Sequence, residues 1–67
     1  MFNKQLFKGR VVAAGYTLGE TARALGINPA TLHRKMSGES DFTRDEIIRL
    51  RDFLGLKPDD IVQIFFS

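Results

Sequence analysis

The chain has 67 residues, 43% of them hydrophobic, with no cysteine, one histidine and a formal net charge of +2. So short a chain predicts one domain with a marginal core, and the missing cysteines exclude disulfides and thiolate metal sites. No apolar run approaches a membrane span, and MFNKQLFKGR lacks the apolar core and cleavage site of a secretory signal, so a reducing cytoplasm is the expected location.

Residues 3–14 predict a first helix, capped by Asn3 and ended by Gly15 in the left-handed region. Phe7, Val11 and Ala14 recur at helical spacing as a buried stripe, with Lys4, Lys8 and Arg10 off it. Gly9 inside a helix costs about 1 kcal/mol relative to Ala, and close packing against another helix is the expected reason for it. Tyr16, in the connection, is expected to cover the edge of the core.

The next stretch, TLGETARALGINPATLHRKMSG (Thr17–Gly38), predicts two short helices, about 18–25 and 29–36, joined by a tight turn. Thr17 and Glu20 form a capping box, in which the hydroxyl accepts from an early backbone N–H and the carboxylate accepts from the cap. Ala22 is small enough for a second helix to cross closely, and Gly26 turns the chain at φ > 0 without steric cost. Ile27 plugs the turn, Asn28 caps the next helix and Pro29 starts it, since a proline has no N–H to orphan there. Leu32 and Met36 are its apolar stripe, and Ala30, His33 and Arg34 lie on the other side. A short helix propped from behind with polar tips outward has the shape that enters a DNA major groove.

Residues 37–42 (SGESDF) predict a loop, with Phe42 anchoring it into the core. Thr43 and Glu46 form a second capping box, after which Ile47, Leu50 and Leu54 mark a core face that Gly55 ends. Pro58 begins a fifth helix, with Asp59 and Asp60 favoured by its dipole and Ile61 and Ile64 facing inward. Ile48, Phe53, Val62, Phe65 and Phe66 exceed what one core needs. Either they form a homodimer contact, or the fifth helix and the tail fold back over the chain's own core.

Charge is unevenly distributed. Residues 1–38 carry six Lys or Arg against one Glu, whereas residues 39–67 carry four against seven Asp or Glu. A basic half containing the paired helices is the footprint of a polyanion-binding face. One imidazole builds no metal centre without several carboxylates aimed at it, and the Asp and Glu residues lie mostly in the other half; His33 also has no nucleophile arranged with it. Neither an enzyme, a cofactor nor a small-molecule substrate is expected.

The spacing of Thr17, Glu20, Ala22, Leu25, Gly26, Ile27, Asn28, Thr31, Leu32 and Gly38 resembles the helix-turn-helix of the phage lambda repressor and Cro family, also called the XRE family. GYTLGETARALGINPATLHRKMSGESDF with the tail DDIVQIFF is similar to small regulators carried by phages and prophages of Gram-positive bacteria. The resemblance implies an all-α, compact five-helix lambda-repressor-like domain over residues 1–67. It further implies that the backbone at Thr17–Leu18 and the Asn28 side chain meet sugar-phosphate, that Pro29, Ala30, His33 and Arg34 face base edges, and that the loop Ser37–Ser40 follows the backbone again.

Three departures from the family pattern stand out. Leu18 replaces a frequent Gln. Pro29 and Ala30 replace residues able to make bidentate hydrogen bonds, leaving Ala30 only apolar contact to a thymine methyl. Thr21 and Lys35 stand where core aliphatics are usual, with Met36 taking over one such role. Base readout therefore falls to Arg34 and His33 or to DNA shape, with Arg10, Asn28, Lys35 and Ser37 as phosphate contacts. The expected function is a sequence-specific regulator that binds double-stranded DNA as a homodimer. The alternative is an antirepressor or adaptor that keeps the helix-turn-helix shape but binds a protein through its Phe-rich end.

Overall fold

The computed structural model describes residues 1–67 and contains five helices and no strand: α1 (Lys4–Ala13), α2 (Leu18–Leu25), α3 (Pro29–Met36), α4 (Arg44–Leu54) and α5 (Pro58–Phe65). None is long and apolar enough to cross a membrane. The predicted caps form. Asn3 accepts from the Leu6 N–H at 3.0 Å, and both Thr–Glu boxes close reciprocally at the starts of α2 and α4. Gly26 turns from α2 to α3 at φ 70°, a left-handed conformation that a Cβ would strain.

α2 packs on α1, α3 and α4, and α1 also packs on α5, so α2 is the hub against which α3 rests. The core takes Phe7 and Val11 from α1, Ala22 and Leu25 from α2, Leu32 and Met36 from α3, Leu50 and Leu54 from α4 and Ile64 from α5. Leu56, in the turn after α4, joins them without having been anticipated. Thr21 is fully buried in a place suited to an aliphatic. Its hydroxyl donates to the Thr17 carbonyl at 2.9 Å, which removes the cost of burying it.

Three expectations change. Gly9 packs against nothing: a Cβ built there would meet no atom within 4 Å, so helix packing does not account for it. Phe53 is not a free apolar face, because it packs on the core and stacks on Tyr16. Phe65 also turns inward, with its ring 5.6 Å from Phe2 and 5.4 Å from Phe42. Phe42 anchors the loop as expected, and Phe2 completes the cluster by lying 5.4 Å from Phe7. Of the five surplus apolar residues, Ile48, Val62 and Phe66 remain exposed.

Candidate nucleic-acid interface

α3 is eight residues long, so it can divide its residues cleanly between two sides. Leu32 and Met36 are buried, while Pro29, Ala30, His33 and Arg34 are exposed. The Asn28 side chain accepts from the Ala30 N–H at 2.8 Å, fixing where the helix begins. Arg34 Nη2 donates to Thr31 Oγ1, one turn back, at 3.1 Å. That contact steadies the guanidinium on the helix surface and leaves its other donors free. Neither His33 nor Arg34 makes an ion pair, and α3 carries no carboxylate.

The start of α2 is arranged differently. The Leu18 side chain packs against the core, so this residue offers only its backbone to a ligand. Thr17 N–H is taken by Glu20 Oε1 at 2.9 Å, and Glu20 N–H by Thr17 Oγ1 at 3.0 Å. The N–H groups of Leu18 and Gly19 make no bond within the chain, and such orphan donors at a helix start favour an anion.

Beyond α3 the loop is fastened to that helix. Ser37 Oγ donates to the Arg34 carbonyl at 3.0 Å. The same carbonyl accepts from the Glu39 N–H at 3.0 Å and the Ser40 N–H at 3.3 Å. Ser37 and Ser40 are both exposed.

Both cations expected to meet phosphate are occupied elsewhere. Arg10 pairs with Asp60 at 2.8 Å, tying α1 to α5, and its side chain stays about half exposed. Lys35 is turned inward: its ammonium meets Glu46 Oε1 at 3.0 Å and the Asp41 carbonyl at 2.9 Å. The signal was present in the spacing, because Lys35 lies three residues after Leu32 and beside Met36, on the buried side. Burial pushes the Glu46 carboxyl up. The Thr43 N–H, then the Lys35 hydrogen bond and charge, and the Thr43 hydroxyl outweigh this and hold it below its ordinary value.

Arg23 was not anticipated as part of this face. It is exposed and unpaired on α2, and with Gly19, Gly26, Ile27 and Pro29 it lines a shallow groove at the elbow between the two helices. Its signal was a cation four residues after Gly19, one turn along the same side of α2. Arg44, the first residue of α4, is likewise exposed and unpaired beyond the loop.

A family model described as a helix-turn-helix domain matches residues 6–63, most of the chain. No curated protein and no solved structure matches it significantly.

Proposed function

The chain belongs to the helix-turn-helix domain family, a DNA-binding family, and from that premise we propose that it is a sequence-specific transcriptional regulator of the phage repressor and Cro kind. It acts without enzymatic activity or a cofactor, in the cytoplasm of a bacterium or an infected host cell. The observation that carries this reading is the division of α3. Its buried side is held by Leu32 and Met36, and its exposed side presents Pro29, Ala30, His33 and Arg34 with no carboxylate among them.

On this reading α3 enters the major groove. Arg34 reads a base, most naturally guanine through O6 and N7, and His33 reads or positions beside it. Ala30 offers its methyl to thymine. The Leu18 and Gly19 amides, Asn28, Ser37 and Ser40 meet phosphate, and the free guanidinium of Arg23 adds a positive edge. Two chains pair through the exposed Ile48, Val62 and Phe66, setting their α3 helices about 34 Å apart on a two-fold site.

Selection of bound sites from random duplexes, with stoichiometry measured by sedimentation, tests this. A palindromic consensus held by two chains supports it. If the chain retains no duplex at low salt yet captures a stoichiometric protein partner, it is an interaction module instead.

A further inference from the structure

The ammonium of Lys35, unlike the exposed guanidinium of Arg34 on the same helix, is turned inward and largely covered. Its side chain is 11% exposed and that of its partner Glu46 is 14% exposed. Nζ stands 3.0 Å from Glu46 Oε1, donates to the Asp41 carbonyl at 2.9 Å, and lies 6.0 Å from the centre of the Phe42 ring. The same Glu46 oxygen accepts from the Thr43 N–H at 2.8 Å. One carboxylate oxygen therefore joins the capped start of α4 to a side chain rising from α3, and the Asp41 carbonyl draws in the loop between them.

We propose that Lys35 is a positioning residue for DNA recognition, setting the angle of α3 and the course of residues 37–42 against α4 without touching DNA. This rests on the reading of the α2–α3 face given above. An aliphatic side chain would fill the same space, and apolar burial is non-directional. Hydrogen bonds prescribe direction as well as distance. The ammonium is held from two sides, so leaving either partner gives up a charge-assisted hydrogen bond. The latch thus gives one preferred arrangement to a helix that carries His33 and Arg34 and to a loop that carries Ser37 and Ser40. Binding groups of this kind need placing to within roughly 0.5 Å.

The test is a double-mutant cycle with Lys35→Met, Glu46→Gln and both together. Affinity for the selected duplex is measured over a range of salt, and each variant is melted to establish folding. Methionine keeps the length of the apolar stem, and glutamine keeps the acceptor for the Thr43 N–H. Lys35→Met should weaken specific binding roughly tenfold, Glu46→Gln should weaken it as well, and the double variant should be no worse than the poorer single one. The salt dependence should keep the slope of the unaltered chain.

An equal loss from Lys35→Met in both backgrounds, with the slope shallower by about one, would make Lys35 a phosphate contact and overturn the proposal. Unchanged affinity in folded Lys35→Met, with only the melting point moved, would also overturn it. If Lys35→Met does not fold, Glu46→Gln decides alone, since a carboxylate makes no phosphate contact of its own: weaker binding at unchanged slope supports the latch, and unchanged binding rejects it. If the unaltered chain binds no duplex, the reading of the face has failed and this proposal falls with it. If the chain binds and the cycle is additive, only the latch is lost.

Discussion

Tyr16 and Phe53 stack with ring centroids 4.1 Å apart and planes 24° apart, closing the seam between the α1–α2 connection and α4. Offset stacking adds roughly 0.5–1.5 kcal/mol to the area such rings bury. Phe53→Ala should therefore cost about 1–3 kcal/mol of stability and leave the association state unchanged. Val62→Ser and Phe66→Ser, at exposed positions, should do the reverse. Denaturant titration and sedimentation on the three variants separate the two outcomes. Loss of association in a folded Phe53→Ala would return that ring to the dimer surface.

Gly9 sits inside α1 with open space around its missing Cβ and φ outside the left-handed region. Gly9→Ala should stabilise the chain by about 0.5–1 kcal/mol, because alanine loses less backbone freedom on folding. In a domain of this size that corresponds to a rise of a few degrees in Tm. A lower Tm would mean that the position is in contact after all.

Glu46 predicts an acid dependence. Burial raises its carboxyl, but the Thr43 N–H, Lys35 and the Thr43 hydroxyl together lower it below the ordinary 4.5. The fold thus favours the charged form. Its contribution is complete above the ordinary value and is lost as pH falls through that value and then through the lower one of the folded state. The stability difference between the unaltered chain and Glu46→Gln, measured in denaturant at a series of pH values, should therefore shrink toward acid. A difference that widens or stays constant would contradict the assignment.

Arg34 is tethered only to Thr31, so its loss should leave the fold intact. Arg34→Ala should relax preference at one base position of each half-site, worth about 1–3 kcal/mol, in a site-selection experiment. Uniform loss on every sequence would assign Arg34 to phosphate instead.

The fold was legible wherever local chemistry dictates it. Thr17–Glu20, Thr43–Glu46, Asn28–Pro29 and Gly26 mark helix ends through bonds that span only a few residues. The exposed residues of α3 were legible because Leu32 and Met36 fix which side is buried. What could not be read depends on contacts distant in sequence. Asp60 takes up Arg10 across 50 residues, Tyr16 claims Phe53, and Phe2 and Phe42 draw in Phe65. Lys35 belongs between these groups. Its spacing placed it inward, but its charge suggested phosphate, and only the nearness of Glu46 and Asp41 shows how a lysine is tolerated there.

The most direct measurement follows backbone amide shifts during titration with a selected duplex, with affinity recorded at several salt concentrations. Log K should fall linearly and steeply with log salt, as released counterions require. The perturbed amides should cluster at Leu18–Gly19, at Asn28 and Ala30–Arg34, and at Ser37–Ser40. Affinity that is flat in salt, or perturbations centred on Phe2, Phe65 and Phe66, would contradict the DNA-binding reading.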